Sequence, residues 1–274
     1  MIRSDEPETL SRLLEQIYRD SGYDFRHYKQ GTVTRRLGRR LQATGTTNYD
    51  DYLRFIADHP QEYERISQSL TITVSSFFRS QYAFGQLARL VFPALLPRSS
   101  PIPQRLRLWS VACARGEEPY SIAMALSDYL GSRTDYHDIK IYATDINRQS
   151  LEQARTGVFS ATDIESVPQP ARKHFSHNNS GYVINDNVQR MVTFDYFDLT
   201  SNIQAPFGAM DGIFCCNILI YLHRQLQTKL LGALCESLLP GGYLMLGDVE
   251  SPTENVRSRL KCLDAKAKIY QKKG

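Results

Sequence analysis

The feature that most constrains the fold is a regular alternation of strand and helix patterns that begins at residue 105. Apolar runs at residues 105–111 and 139–144 are typical of buried strands, and each is followed by a helical pattern, at 118–130 and 147–156. Gly157 ends the second of these helices. Because parallel strands must be joined by a crossover, usually a helix, the alternation predicts an α/β domain with a parallel sheet.

The alternation resumes beyond residue 190. We predict three further strands and one long helix, with the strands at 191–196, 212–216 and 243–247, the helix at 223–238 and a Pro-Gly-Gly turn at 240–242. The stretch at about 168–190 interrupts this rhythm. It carries a turn at 179–181 and a short strand pattern at 182–184, which predict a small antiparallel hairpin inserted into the domain.

Residues 1–92 have a different character, because only helical patterns are found there. Turn and capping residues divide the region into four short helices: Gly22 follows the first, Gly45 follows the second, Asn48 caps the third and Pro60 begins the fourth. A Pro/Ser-rich stretch at 93–104 comes next, which we expect no helix or central strand to tolerate. We therefore predict an all-helical N-terminal domain at 1–92, a linker at 93–104 and the α/β domain at 105–274.

Composition limits the classes of partner. Among 274 residues there are 33 Lys and Arg against 29 Asp and Glu, and the net charge of +4 is too small to favour nucleic acid. No run approaches the roughly 20 apolar residues that span a bilayer, and residues 1–8 are polar and acidic, so we expect a cytoplasmic protein without membrane insertion. Five cysteines without a C-x-x-C pair argue against a disulfide framework and against a zinc site.

Polar residues follow the predicted strands, at the edge where ligands bind in open parallel sheets. The loop after the first strand holds a single glycine and the adjacent acids Glu117 and Glu118, unlike the three-glycine loop that binds pyrophosphate in nicotinamide dehydrogenases. Such a loop suits a cationic or neutral ligand. Asp145 ends the second strand, where it could accept ribose hydroxyls or equally cap the next helix. Asp198 and Asn217 follow later strands and complete a candidate site.

At these residues the chain resembles a known family. The segment WSVACARGEEPYSIAM at 109–124 resembles the first motif of the chemotaxis receptor methyltransferases, the CheR family. Further similar segments occur in the family's order: SFFR at 76–79, ATDI at 143–146, ARTG at 154–157, FCCNILIY at 214–221 and LPGG at 239–242. The resemblance covers residues from about 15 to about 271, nearly the whole chain.

The resemblance implies a small helical N-terminal domain and a Rossmann-like methyltransferase domain with an inserted antiparallel β-subdomain. It implies S-adenosylmethionine as methyl donor, S-adenosylhomocysteine as product, and methyl-ester formation on glutamate side chains of chemoreceptors. Position by position, the implied cofactor contacts are Thr73, Ser75, Arg79, Glu118, Asp145, Asp198, Leu199, Cys216 and Asn217. Arg79 and Tyr221 match the pair usually assigned to the reaction centre.

Two contacts depart from the family pattern. Thr73 stands where the family generally carries Asn, and Cys216 stands where Arg commonly precedes the Asn. The predicted hairpin insertion is also a few residues shorter than in members that dock a receptor's C-terminal pentapeptide. The resemblance therefore gives no support for a pentapeptide tether in this chain.

Arg79 and Tyr221 have chemically suitable side chains for this reaction. A glutamate carboxylate, with an unperturbed pKa of about 4.3, is already ionised at neutral pH, so the site must align the reacting groups rather than remove a proton. A guanidinium holds a carboxylate in a fixed two-pronged geometry, and a tyrosine offers a hydroxyl donor and a ring face near the sulfonium. A surface ion pair and a partly buried core tyrosine are the alternative interpretations.

The segment at 26–40 is strongly basic, with six Lys and Arg residues and no acid. Arg35 and Arg39, and likewise Arg36 and Arg40, are spaced four apart and form two rows on neighbouring faces of a helix. The resemblance implies a docking surface for the acidic, cytoplasmic helical domain of a methyl-accepting chemoreceptor, whereas the simpler interpretation is a solvated face. Two other functions stay open: a non-catalytic receptor-binding adaptor, and a methyltransferase of another protein carboxylate.

Overall fold

The computed structural model describes residues 7–71, 74–97, 99–200 and 206–274. Its α-helices in chain order are α1 Pro7–Ser21, α2 Gln30–Thr44, α3 Tyr49–Asp58, α4 Glu62–Leu70, α5 Gln81–Gln86, α6 Phe92–Leu95, α7 Glu117–Leu130, α8 Arg148–Thr156, α9 Ala161–Ile164, α10 Asp186–Gln189, α11 Arg224–Ser237 and α12 Glu254–Arg257. Its strands in chain order are β1 Arg105–Val111, β2 Asp138–Asp145, β3 Val158–Phe159, β4 Phe175–Asn178, β5 Gly181–Ile184, β6 Val192–Tyr196, β7 Met210–Cys215, β8 Leu238–Leu246, β9 Leu260–Asp264 and β10 Ile269–Lys272.

The first four helices confirm the predicted helical front. Each buries an apolar stripe, exemplified by Ile17 of α1, Leu37 of α2 and Ile66 of α4. Gly45 ends α2 with a φ of 74°, and Asn48 caps α3 by accepting a hydrogen bond from the Asp51 backbone amide at 2.8 Å. The turn and capping residues identified in the sequence therefore do separate these helices.

The helical region continues further than the sequence suggests. After α5, a π-helical segment at Leu87–Val91 leads directly into α6, which contains Pro93. The expectation that no helix tolerates the stretch beginning at 93 is wrong at this point, because Pro93 lies at the start of α6 directly after the π-helical segment, where the backbone hydrogen bonds change register.

A seven-stranded sheet forms the centre of the second region, with the order β6-β2-β1-β7-β8-β10-β9. The first five strands in this order are parallel, as the alternation predicts, and β10 is antiparallel to both of its neighbours. The chain runs from β1 outward to β2 and then returns to β7 on the other side of β1. The sheet therefore has a topological switch point between β1 and β7, at whose carboxyl ends a ligand crevice is expected.

The sequence patterns differ from the structure at the C-terminal side of the sheet. The Pro-Gly-Gly turn at 240–242 lies within β8, where the register with β7 moves from Leu238 opposite Met210 to Tyr243 opposite Gly212. The turn is thus a bulge in a strand that begins earlier than predicted. The strands β9 and β10 were not predicted, because their apolar residues are few and interspersed with Lys and Asp.

The inserted subdomain is a small antiparallel sheet with the order β3-β5-β4. The hairpin of β4 and β5 lies in the predicted interval, whereas β3 joins it from before that interval. A two-residue strand such as β3 carries no periodicity that a sequence could display. Gly181 begins β5 with a φ of 122°, and a Cβ atom there would lie 2.7 Å from the Phe159 carbonyl oxygen.

The helical front and one face of the sheet share a buried core. Leu37 and Tyr52 belong to the same buried cluster as Trp109 of β1 and Leu230 of α11, whereas the opposite face of the sheet packs against α7. Backbone hydrogen bonds also join the two regions, from the Lys29 amide to the Tyr221 carbonyl at 2.8 Å and from the His223 amide to the His27 carbonyl at 2.9 Å. No helix among the described residues has the length and apolarity to cross a membrane.

Candidate active site

A crevice opens at the carboxyl ends of β1, β7 and β8. Its larger cavity encloses about 810 Å³ of space, open solvent at the mouth included, and is lined by residues before α5, by the loops after β1 and β7, and by residues 245–248. A second cavity, of about 470 Å³ on the same measure, continues along the ends of β2 and β6 and shares Ala112, Ile218 and Tyr221 with the first. The crevice thus occupies the topological switch point of the sheet.

Backbone strain is concentrated around this crevice. Five non-glycine residues in the described part of the chain have a positive φ, and four of them lie in segments that border the crevice: Phe78 at 48°, Ala112 at 56°, Ala114 at 49° and Asn217 at 61°. Each such conformation costs on the order of 1–3 kcal/mol and persists where the surroundings hold it in place. The loops around the crevice are therefore built for a defined shape.

Three backbone amides of the loop after β1 are hydrogen-bonded within the protein. Cys113 donates to the Thr144 carbonyl at 2.9 Å, Ala114 donates to Asp145 Oδ2 at 2.8 Å, and Gly116 donates to the Cys113 carbonyl at 3.0 Å. These amides are therefore not directed at a ligand, as they are in a pyrophosphate-binding loop. This arrangement agrees with the sequence argument against a nicotinamide dehydrogenase.

Asp145 is buried beside the second cavity, and one oxygen of its carboxylate accepts from Ala114 while the other accepts from the Asn147 amide at 2.8 Å. The N-cap of α8 is Asn147, whose side chain accepts from the Ser150 amide at 2.9 Å. The helix-cap interpretation of Asp145 is therefore wrong. Burial raises the pKa of the Asp145 carboxyl, and the backbone hydrogen bonds counteract that rise.

Asp198 and Leu199 line the second cavity next to Asp145. Asp198 is buried, and its Oδ1 accepts from the Thr200 amide at 2.8 Å and from the Thr200 hydroxyl at 2.6 Å. Its Oδ2 makes no hydrogen bond within the described residues.

Glu118 lines the larger cavity and accepts a hydrogen bond from the Ser110 hydroxyl at 2.7 Å. Burial raises the pKa of the Glu118 carboxyl, the nearby negative charge of Glu250 adds to the rise, and the positive charge of Arg79 opposes it. Cys216 lines the same cavity beside Glu118, and burial raises the pKa of its thiol. An acid with these neighbours is best matched by a ligand that carries positive charge.

Arg79, Tyr221 and Ser75 line the larger cavity together with Asn217. The segment before Arg79 is anchored by Phe77, whose ring makes edge contacts with Phe159 at 4.7 Å and Phe175 at 5.3 Å between centroids. Arg79 itself is exposed at the mouth of the cavity. The predicted contact Thr73 lies outside the described residues.

Comparison with models of known protein families identifies the family to which this chain belongs. The model of the CheR methyltransferase SAM-binding domain matches residues 73–269, and the model of the CheR methyltransferase all-alpha domain matches residues 8–71. The chain belongs to the CheR methyltransferase family. It is an S-adenosylmethionine-dependent methyltransferase, with a helical N-terminal domain and a Rossmann-like domain that contains the crevice.

Individual relatives support this assignment. Chemotaxis protein methyltransferase 2 of Pseudomonas aeruginosa is 32% identical over 249 residues, which cover 89% of this chain and 86% of the relative. The chemotaxis protein methyltransferase of Escherichia coli K12 is 31% identical over 247 residues, which cover 88% of this chain and 83% of the relative. An uncharacterized 104.1 kDa protein of Rhodobacter capsulatus is 31% identical over 265 residues, and this chain spans 27% of its length.

In this CheR family member, α2 presents its arginines in two different ways. Arg35 and Arg39 are exposed. Arg36 Nη1 donates to the Ser69 carbonyl at 2.6 Å, and Arg40 Nε donates at 2.8 Å to Oε1 of the fully buried Glu62. The structure therefore corrects the prediction of one four-arginine docking surface, because Arg36 and Arg40 are engaged inside the helical domain.

One buried acid at the crevice was not identified from the sequence. Glu250 follows β8 and accepts hydrogen bonds from four backbone amides, of which three belong to the loop after β7. Burial raises the pKa of its carboxyl, and the backbone hydrogen bonds oppose that rise. The available signal in the sequence was a glycine, Gly247, at the end of a predicted strand and three residues before an acid.

Proposed function

We propose that this chain transfers a methyl group from S-adenosylmethionine to glutamate side chains in the cytoplasmic helical domain of chemoreceptors, forming glutamyl methyl esters in chemotactic adaptation. The observation that carries the proposal is that Arg79 and Tyr221 line one cavity with Glu118 and Asn217, in a chain of this family. Relatives named chemotaxis protein methyltransferase align over most of the chain. Catalysis in the cytoplasm is part of the proposal.

The crevice suits the methyl donor in charge and in extent. We assign the nucleoside to the second cavity, at Asp145, Asp198 and Leu199, and the amino-acid end to the larger one. The acids supply acceptors for hydroxyl and ammonium groups, and three backbone amides of the loop after β1 are already bonded within the protein. The described residues that we propose to hold the cofactor are Ser75, Arg79, Glu118, Asp145, Asp198, Leu199, Cys216 and Asn217, and Thr73 is proposed from the sequence alone.

The chain's own residues position the acceptor. S-adenosylmethionine supplies a methyl carbon on a positively charged sulfur, and the glutamate oxygen bonds to that carbon while the carbon–sulfur electron pair stays on sulfur. The Arg79 guanidinium at the cavity mouth would hold the incoming carboxylate, and the Tyr221 side chain would fix its approach. We assign no general base, because the acceptor carboxylate is ionised at neutral pH.

The substrate would dock partly on α2. Arg35 and Arg39 are exposed and make no ion pair within the described chain, so their charge is available to an acidic partner. The backbone bonds of Lys29 and His27 to residues 221 and 223 connect the beginning of α2 with Tyr221. A receptor helix on this face would therefore lie at a set distance from the crevice.

The test is transfer of labelled methyl from S-adenosylmethionine to a panel of chemoreceptor cytoplasmic fragments, followed by mild alkali. Label on receptor that is released as volatile methanol would support the proposal, and excess S-adenosylhomocysteine should abolish it. Label that enters other proteins in place of receptors would favour methylation of another carboxylate. Receptor binding without transfer by a chain that binds S-adenosylhomocysteine would favour a non-catalytic adaptor.

A further inference from the structure

Glu250 is an unusual group for its surroundings. It is 4% exposed, and its carboxylate makes no ion pair within the residues that the structure describes. Moving an unpaired carboxylate out of water is costly, so a buried one persists only where other groups compensate its charge. The compensation here comes from the backbone.

Each oxygen of Glu250 accepts two backbone amides. Oε1 accepts from Leu219 at 2.7 Å and from Ile220 at 3.3 Å, and Oε2 accepts from Asn217 at 2.9 Å and from Gly247 at 2.8 Å. A carboxylate has about four acceptor positions, so these bonds use its full capacity. Hydrogen bonds to a charged acceptor are also about twice as strong as bonds between neutral groups.

The bonded amides belong to one functional segment. We call residues 217–221, which follow β7, the β7 loop. Asn217 begins it with a φ of 61°, a strained conformation for a residue with a side chain, and Tyr221 ends it at the crevice. Gln227 Nε2 secures the same loop from the other side by donating to the Leu219 carbonyl at 2.7 Å.

Gly247 lies so close to the β7 loop and to Glu250 that a side chain would not fit there. A Cβ atom at this position would lie 2.7 Å from the Asn217 amide nitrogen and 2.8 Å from Glu250 Oε2. Contacts this short with backbone require the β7 loop to move. The end of β8, the carboxylate and the β7 loop therefore form one close-packed unit.

We propose that Glu250 is a positioning residue for methyl transfer, which holds the β7 loop so that Asn217 and Tyr221 face the crevice. Glu250 does not line either cavity of the crevice, so it acts through the loop rather than on a ligand. This inference rests on the role proposed above for Tyr221. Its structural part, the ordering of the loop, can be measured without any methyl acceptor.

The main variant is Glu250→Gln, which has nearly the same shape. Its amide group replaces one acceptor oxygen with a donor that faces two backbone donors, so one pair of bonds is lost. We expect faster hydrogen exchange in the peptide that contains the β7 loop, with unchanged exchange in β1, and about a 10-fold lower kcat. Asp211→Asn is the matched control, because Asp211 accepts one backbone amide, from Arg107 at 2.7 Å, at the far end of β1.

Two further variants make the test decisive. Gly247→Ala should disturb the same loop by contact with Asn217 and with Glu250 Oε2 while keeping the charge of the carboxylate, and it serves if Glu250→Gln does not fold. In a Tyr221→Phe background, Glu250→Gln should lower kcat by much less than it does in the wild type, since two residues that act as a unit are not additive.

The outcomes separate this inference from the proposed function. Unchanged exchange of the β7 loop in both variants would overturn it, and so would losses of kcat that multiply in the double variant. If the wild type methylates no receptor, the proposed function fails, and the exchange measurement alone decides whether Glu250 orders the loop. Faster exchange together with non-additive kinetics would establish the positioning role.

Discussion

The loop after β1 and the β7 loop are built on a similar plan around different carboxylates. Both follow neighbouring parallel strands at the switch point, and both contain residues with a positive φ. Each donates to a buried carboxylate from another strand end, through one backbone amide in the loop after β1 and through three in the β7 loop. That carboxylate is Asp145 for the first loop and Glu250 for the second. Asp145 also lines the crevice, whereas Glu250 does not.

This difference shows that an acid after a strand can hold a loop in place without also lining the ligand crevice. Asp145 holds a loop and also lines the proposed nucleoside half of the crevice, so its removal should weaken cofactor binding. Glu250 holds a loop that ends in Tyr221, so its removal should lower the rate of methyl transfer. The loop after β1 and its acid would then serve the cofactor, and the Tyr221 end of the β7 loop would serve the acceptor.

The largest expected effect is a loss of kcat when the residues proposed to position the methyl acceptor are replaced. Tyr221→Phe and Arg79→Ala should each lower kcat by about 100-fold or more, because misplacing the reacting groups by about 1 Å costs this much. Calorimetry should show the affinity for S-adenosylhomocysteine changed by no more than about threefold in Tyr221→Phe. In Arg79→Ala the affinity should fall by much less than kcat does, since Arg79 is also a proposed cofactor contact. Equal losses in kcat and in affinity would remove the proposed division of labour between the two loops.

Asp145→Ala should have the opposite signature. It leaves the Ala114 and Asn147 amides without their acceptor and removes a proposed ribose contact, so the dissociation constant for S-adenosylhomocysteine should rise by about 10- to 100-fold. The value of kcat at saturating S-adenosylmethionine should change little. Asp195→Ala, an exposed acid on neighbouring β6, is the control and should bind normally. An unchanged affinity in the Asp145 variant would restrict this acid to a structural role.

Glu118 should make cofactor binding depend on pH. Burial raises the pKa of this carboxyl, so it takes up a proton at a higher pH than an exposed glutamate does and loses its attraction for the ammonium group of the ligand. Affinity for S-adenosylhomocysteine should be constant above the raised pKa and should fall by about 10-fold as the pH drops through it. Glu118→Gln should bind weakly with a flatter profile. A wild-type profile in that variant would assign the dependence to other acids, with Asp145 the first to examine.

The smallest expected effect lies outside both loops. Reversing Arg35 and Arg39 to Glu should raise the KM for receptor by about fivefold at low salt and less at high salt, with cofactor affinity unchanged. The control is reversal of Arg224 and Lys229, an exposed basic pair on α11, which makes the same change in net charge. Equal effects of the two reversals would show that overall charge, rather than α2, attracts the receptor.

Much of the fold could be predicted because its signals are local. Gly45, Asn48 and Gly157 end or cap helices through their own backbone and side-chain geometry, and the structure uses them in that way. The strand β3 and the helix around Pro93 could not be predicted in the same way. Their existence depends on partners, the edge of β5 for one and the preceding π-helical segment for the other.

The site shows the same limit. The rule that ligands bind beyond the strand ends finds Asp145, Asp198 and Asn217, because several polar residues at successive strand ends are harder to explain as helix caps than one alone. It does not find Glu250, because the bonds of Glu250 go to backbone amides, which no residue type reveals. It also cannot show which row of arginines on α2 faces inward, since Arg40 binds Glu62, which lies 22 residues away in sequence.

The backbone hydrogen bonds between residues 27–29 and residues 221–223 limit how the helical domain of this enzyme can be replaced by that of a relative. The helical domain is often the part that one would transplant to redirect an enzyme to a new receptor. In this chain that graft would also replace the strand-like partner of the segment that carries Tyr221. A chimera that changes α2 but keeps residues 27–29 should therefore retain turnover better than one joined at the boundary between the two halves.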